Sequence, residues 1–222
     1  MQNPVYHALC TGDKDLALGT SDVKYFDEAV SPFAGFEENN AKGFTQLYAL
    51  LPSGRRILFA TPGIIVKPAG WQLQNEIKGI QFVYTGPAIM GETFKHVIPL
   101  QGKHAEQAMQ LAHLTKPGPF AKRTMDFGSY FGIFERGKLV AMTGQRLHVE
   151  NYTEISAVCT HPGYTGKGFA QTLIEHQAQL IMQQGKIPFL HVKADNERAI
   201  ALYKRLGFEV SRQMNFYFMK RD

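Results

Sequence analysis

The chain has little cysteine, one tryptophan and no long apolar run. Cys10 and Cys159 are the only cysteines. One lies near the N-terminus and the other in an apolar segment, so a disulfide framework is not expected and a reducing, cytoplasmic setting is. No stretch reaches the ~18 consecutive apolar residues of a membrane span, which leaves no membrane partner. The N-terminus lacks a charged segment followed by an apolar core, so no secretory signal is expected. Long basic runs are missing as well. The net charge is +5, yet basic residues come at most in pairs, such as Arg55-Arg56, Lys122-Arg123 and Lys204-Arg205, with acids interspersed. A nucleic-acid-binding protein would need a basic helix or an aromatic–basic stripe. Neither is present, so no nucleic-acid partner is expected, and the mild excess of cations reads as a surface that suits an anionic ligand. The eight histidines and two cysteines show no ligand spacing, so no metal is expected.

What is present suits an ordinary folded enzyme. Hydrophobic residues make up 44% and aromatics 12% of the 222 residues, enough for one large or two small domains with a real core. The most informative stretch is 154–196. Glu154-Ile155-Ser156-Ala157-Val158-Cys159-Thr160 alternates and is rich in strand formers. His161-Pro162-Gly163-Tyr164 stops it. Thr165-Gly166-Lys167-Gly168-Phe169-Ala170 then leads into a helix running to about Gln184, with Ala170, Leu173, Ile174, Ala178, Ile181 and Met182 on one face. A strand that ends in a glycine turn and feeds a helix points several unpaired N–H groups at one spot, where the helix dipole adds positive potential. That is an anion site, most naturally for a phosphate. Glycine at 166 and 168 lets a ligand approach the backbone. Two glycines after a strand can equally be a tight turn. The loop lacks the Walker lysine pattern, which argues against a nucleotide hydrolase. Downstream come a short buried strand, Ile187–Val192, and a helix from Asn196 to a glycine stop at Gly207.

From Val158 to Phe208 the chain resembles the acetyl-CoA-binding core of the GNAT superfamily of N-acetyltransferases. The resemblance rests on Pro162-Gly163-Tyr164-Thr165-Gly166-Lys167-Gly168-Phe169-Ala170 as the pyrophosphate loop and on Asn196, Ala199, Leu202, Tyr203, Gly207 and Phe208 in the helix that follows. Thr165 stands where the family usually has Gln or Arg, which removes one polar contact but leaves the loop amides unaffected. The resemblance implies an α/β (α+β) fold with a mixed, mostly antiparallel sheet and flanking helices. That sheet would be splayed between the strands at 154–160 and 187–193. It implies acetyl-CoA (coenzyme A) as co-substrate, with pantetheine contacts at Val158, Cys159 and Thr160 and the diphosphate on Thr165 to Ala170. It also implies a small-molecule or peptide amine as acceptor, attacking directly in a ternary complex, and sheet edges that meet in homodimers. In this reading a backbone N–H near Val158 receives the developing oxyanion. Tyr203 is the general acid, or else a core tyrosine bonded to cofactor or backbone. Asn196 touches the pantetheine, caps its helix, or does both.

Candidate bases are Glu154 and His191, with His148 behind them. Glu154 can also be a solvated strand-end charge, and His191 a satisfied core histidine; ordered water is the third route. Cys159 has no evident histidine partner for a covalent mechanism. The alternatives to an acetyltransferase are a non-catalytic acyl-CoA-binding module on the same fold and a nucleic-acid-binding protein.

The remaining chain divides near residue 95. In 96–222, Val97–Leu100 reads as a first strand, 105–114 as an amphipathic helix and Thr115–Phe120 as a rigid turn. Ser129–Phe134 and Leu139–Gly144 form a hairpin, and Gln213–Phe218 is a closing strand. In 1–95, Val5–Leu9 and Leu16–Leu18 read as short strands or turns, Pro32–Phe36 as a loop and 41–51 as a helix. Ile57–Ala60 and Ile80–Tyr84 read as strands. Analogy makes this half a degenerate copy of the catalytic half. Trp71 reads as a packing anchor. The Pro117–Phe120 turn and the 60–75 loop are candidates for lining the acceptor pocket.

Overall fold

A computed structural model describes residues 2–89, 94 and 96–222. Lys95, at the expected domain boundary, lies outside them. The first helix, α1 (Pro4–Cys10), precedes a three-stranded sheet of β1 (Ala17–Gly19), β2 (Val23–Phe26) and β3 (Ala34–Phe36). Then follow α2 (Gly43–Leu50), β4 (Arg56–Thr61), β5 (Trp71–Tyr84), β6 (Ile98–Pro99) and α3 (Ala105–Thr115). The C-terminal part contains β7 (Phe131–Glu135), β8 (Lys138–Val149), β9 (Tyr152–Thr160), α4 (Phe169–Gln183), β10 (Ile187–Lys193), α5 (Glu197–Arg205) and β11 (Phe208–Arg221). Strands β4 to β11 form one eight-stranded sheet in the order β4-β11-β5-β10-β9-β8-β7-β6. Only β9 and β10 pair in parallel; the crossover between them is α4.

The two faces of this sheet bury different sets of side chains. On one, α4 and α5 pack Ile174, Ala178, Ile181 and Tyr203 against Phe82, Ile155, Leu190 and Phe208. On the other, α1 and α3 bring Val5, Leu9, Ala108 and Leu111 onto Met142, Leu147, Ala157 and Cys159. Each fully buried large apolar side chain contributes about 1.5–3 kcal/mol, so both helix layers are strongly held.

Four readings from sequence change here. Val5–Leu9 is helical: Pro4 stands at the first helical position and Asn3 accepts the Tyr6 N–H at 3.2 Å, an N-terminal signature that outweighs the short apolar run. Ala34–Phe36 is a strand, because β2 supplies a partner ladder. The C-terminal strand extends over 208–221 and sits between β4 and β5, so the edge of the sheet is β4. Finally, residues 56–61 and 71–84 run inside the same sheet as the C-terminal strands, and β5 separates β10 from β11. The sheet therefore crosses the 95/96 boundary. Ahead of those strands lie a helix, a small separate sheet and a second helix. Trp71 is fully buried between Phe44 and Tyr48, and its indole N–H donates to the Phe44 carbonyl at 3.2 Å.

Candidate active site

β9 and β10 pair for only three residues, Tyr152, Thr153 and Glu154 opposite Ile187, Pro188 and Phe189. Beyond Glu154 and Phe189 they part. Residues 155–160 keep their ladder to β8, and 190–193 keep theirs to β5, but neither pairs with the other across the gap. Two facing strand edges are thus left without partners, which is a template for an extended ligand. A cavity of about 540 Å³ occupies this gap. Val158, Cys159 and Thr160 line it from β9, His191, Val192 and Lys193 from β10, and Asn196 and Tyr203 from α5 and its start. The turn from Lys116 to Pro119 lines it as well, as do Phe33, Ile77, Arg146 and Phe216.

A bulge shapes the β9 side. Met142 pairs with Cys159 and Gly144 with Ser156, so Ala157 and Val158 together stand opposite Thr143. Ala157 has φ of 53°, a left-handed conformation rare outside glycine and asparagine. The extra residue reverses the alternation of the strand. Ile155 packs under α4 and α5, while Ala157, two residues on, packs with α1 and α3. Ala157 and Val158 thereby stand out of the regular ladder, and Val158 lines the cavity.

The glycine loop, 161–168, lies at the same end of the gap, because β9 runs directly into it. His161 Nδ1 accepts the Gly163 N–H at 3.1 Å, and the Thr165 hydroxyl donates to the Pro162 carbonyl at 3.1 Å. Gly166 and Gly168 have φ of 81° and 80°, and a Cβ added at either would meet no atom within 4 Å. Left-handed backbone therefore demands glycine there, and the space above both residues is open. Gly168 caps α4, a 15-residue helix with no acidic residue in its first turn, so its first N–H groups face outward uncompensated. Lys167 lies over the Tyr164 ring at 5.0 Å. Thr165, Gly166, Lys167, Gly168, Phe169 and Ala170 are brought to the mouth of the gap by topology but do not line the cavity itself. Ala199 does not line it either; its N–H donates to Asn196 Oδ1 at 3.2 Å, so Asn196 caps α5.

Glu154 is not a solvated strand-end charge. It is 1% exposed at the apex of the split. Arg146 Nε donates to its Oε2 at 2.8 Å and Nη2 to its Oε1 at 2.9 Å; His191 Nδ1 donates to Oε1 at 2.8 Å. A carboxylate can only accept, so Nδ1 carries the His191 proton and Nε2 receives the Gln81 amide N–H at 3.1 Å. Burial works against the Glu154 charge, but Arg146 and His191 outweigh it and hold the carboxyl down to about 2. Tyr203 is buried among Phe82 and Phe208, and burial raises its hydroxyl to about 12. Burial raises the Cys159 thiol to about 11 despite hydrogen bonds from Thr115 and Met142, so it is protonated at neutral pH.

His148, the other histidine considered as a base, lies away from the cavity with Nδ1 2.6 Å from Asp13 Oδ1. The 60–75 loop does not line the cavity, while Pro117 to Pro119 do. Arg146, Phe33 and Gln81 were not legible as site residues. A signal existed only for Arg146, a cation in an apolar strand. Among the described residues no group of histidines, cysteines and acids could hold a metal ion.

Comparison with known proteins agrees with this geometry. Residues 130–217 match the family described as FR47-like protein. A GNAT-family protein of Novosphingobium aromaticivorans has the same fold at TM-score 0.92 with 29% identity, covering 100% of this chain and 98% of that one. A GCN5-related N-acetyltransferase of Kribbella flavida is similar at TM-score 0.61 and 15% identity, covering 99% and 96%, which bears on the fold alone. Among curated proteins, the Escherichia coli alanine N-acetyltransferase of ribosomal protein bS18 is 30% identical over 89 residues, 39% of this chain and 60% of that protein. A mycothiol acetyltransferase of Mycobacterium sp. is 32% identical over 80 residues, 34% of this chain and 27% of that protein. This chain thus spans 60% or less of the curated relatives it matches. With its split parallel pair, bulged strand and glycine loop on a helix N-terminus, the chain has the fold of these GNAT-family proteins and is similar in sequence to N-acetyltransferases over its C-terminal part.

Proposed function

We propose that the protein transfers an acetyl group from acetyl-CoA to a primary amine by direct attack within a ternary complex. The single observation that carries this reading is the gap between β9 and β10, with its two unpartnered strand edges and the cavity that fills it. The residues present fit the co-substrate. The Thr160 hydroxyl is buried there without a partner among the described residues, and the open left-handed glycines lie at the helix end where a diphosphate would be held. Acetyl-CoA supplies the activated thioester.

The chain's own residues do the rest. The backbone N–H at Val158, displaced by the bulge, stabilises the oxyanion. Tyr203 keeps its proton through burial and is the donor to the departing sulfur. Glu154 acts as a positioning residue, since both of its oxygens are engaged by Arg146 and His191. With Nε2 of His191 held by Gln81, the amine loses its proton to water in the cavity. Cys159 is a packing residue in this scheme. The N-terminal residues then supply sheet and acceptor wall rather than a second site.

Calorimetric titration with acetyl-CoA tests the reading. The parent should bind in the micromolar range. Ala170→Glu, which places a carboxylate in the first turn of α4, should weaken binding about tenfold or more without loss of fold, because an acid there favours the free helix while repelling phosphate. Tyr203→Phe should keep acetyl-CoA affinity and lose about 100-fold in kcat, the scale of a general acid. A parent that binds no short acyl-CoA would sink the enzyme reading. Binding without turnover on any amine would leave the acyl-CoA-binding module.

A further inference from the structure

We infer that the acceptor is a small amine carrying a carboxylate and an apolar group, an amino-acid-like molecule, and that Arg146 receives its carboxylate. This rests on the acetyl-transfer reading and narrows it. The cavity is lined by four cations, Lys116, Arg146, Lys193 and Arg198, and no Asp or Glu is among its described lining residues. A polyamine or a basic peptide would find no free acid there. The carboxylate at the apex of the split, Glu154, is already bonded to Arg146 and His191.

Apart from Lys116, which follows α3 in the turn, the cations divide by position along the gap. β9 and β10 are parallel, so Lys193, at the end of β10, lies at the same end as the phosphate loop that follows β9. Arg198, in the first turn of α5, follows it closely. These two suit the anionic co-substrate. Arg146 is at the opposite end. It pairs in register with Glu154, the last residue of β9 still joined to β10. A diphosphate on the loop does not account for a cation there.

Arg146 is also prepared for an anion. Its Nε and Nη2 are committed to Glu154, and no hydrogen bond from Nη1 is seen among the described residues. The Phe33 ring lies 4.8 Å under its guanidinium carbon, and the Phe216 ring lies 5.3 Å from His191. Stacking and the bidentate pair fix the plane of the guanidinium, leaving one edge for a carboxylate. The same two aromatic rings form an apolar wall beside it. In an amino acid only one carbon separates the amine from the carboxylate, so anchoring the carboxylate at Arg146 places the nitrogen within the gap.

The test uses the full chain with phenylalanine, leucine and methionine, each beside its amide, together with spermidine and a tripeptide amide. Binding is measured calorimetrically with and without saturating coenzyme A, and turnover by thiol release from acetyl-CoA. At least one free acid should bind about tenfold or more tighter than its amide, the scale of one charge-assisted contact. Arg146→Lys, which keeps the charge opposite Glu154, should reduce that preference to about threefold or less and leave acetyl-CoA affinity unchanged. Equal or tighter binding of the amides, spermidine or the tripeptide overturns the inference. So does absence of binding by every free acid, or an unchanged preference in Arg146→Lys. The acid-to-amide ratio of the parent decides the matter even if that variant does not fold. Failure of the acetyl-transfer reading appears separately, as free-acid binding with neither acetyl-CoA binding nor thiol release.

Discussion

Two histidine–carboxylate pairs occur among the described residues, and they do different things. In one, Asp13 accepts from the His148 backbone N–H at 3.0 Å and lies 2.6 Å from its Nδ1, while Nε2 is 3.3 Å from Gln145. The backbone N–H and Nδ1 of that histidine join the turn after α1 to β8, while Nε2 faces a residue of β8 itself. In the other, Glu154 holds His191 Nδ1 and an arginine at the apex of the split sheet, and both partners line the cavity. The chemistry of the pair is the same. The difference is where each pair sits: one that ties a turn to a strand away from the cavity is a fastener, and one at the fork also builds the wall of the cavity.

The largest expected effect comes from breaking the pair at the fork. Glu154→Gln leaves Arg146 buried without its counter-charge and should cost about 3–5 kcal/mol in urea unfolding. It should also lower kcat/KM per folded molecule at least about tenfold, since His191 and Arg146 lose their orientation. Asp13→Asn removes a partly replaceable hydrogen bond and should cost about 1–3 kcal/mol, with kcat/KM of the folded fraction unchanged. Equal kinetic losses in the two variants would erase the distinction.

An intermediate effect sharpens the comparison through pH. The folded Glu154 carboxyl titrates at about 2, below its ordinary 4.5. A depressed folded pKa contributes stability that is fully present above pH 4.5 and declines as pH falls toward 2. The contribution is of order 3 kcal/mol. Unfolding free energy followed from pH 6 to about 2 should therefore fall in the parent and in Asp13→Asn, while Glu154→Gln should lose this part of the slope. An identical slope in Glu154→Gln would show that other carboxylates control the acid limb.

The smallest effect concerns the cavity-lining thiol. Cys159 is buried and Cys10 exposed. Cys159→Ala should keep kcat within about threefold, because a protonated thiol is a poor nucleophile. Iodoacetamide should label Cys10 well before Cys159. A 100-fold loss of kcat in Cys159→Ala would return the covalent route to consideration.

The order of elements from α3 to α5 was legible because each is marked locally. The helix from Phe169 follows a glycine loop, the strand at 187–193 is a short apolar run, and α5 begins at a capping asparagine. The bulge at Ala157 was not legible. Nothing marks alanine for a left-handed conformation, which arises only because β8 offers one residue opposite two. The same holds for Glu154. Its neighbours in sequence suggest a strand end, but its partners come from positions 146 and 191 and are brought together by strand register. The insertion of β5 between β10 and β11 was likewise hidden, since sheet order depends on long-range pairing rather than on local pattern.

The sequence by itself determined the glycine loop, the helix it caps, the two strands that flank that helix and the resemblance to an acetyl-CoA-binding core. These depend on backbone preferences and on apolar spacing over a few residues. The resemblance implied a splay between these strands; only the tertiary structure decided that it begins after Glu154, that Ala157 and Val158 are bulged, and that Arg146 and Phe33 line the cavity. Those features arise where strands distant in sequence compete for the same hydrogen-bonding edges, and no local signal records which pairing prevails.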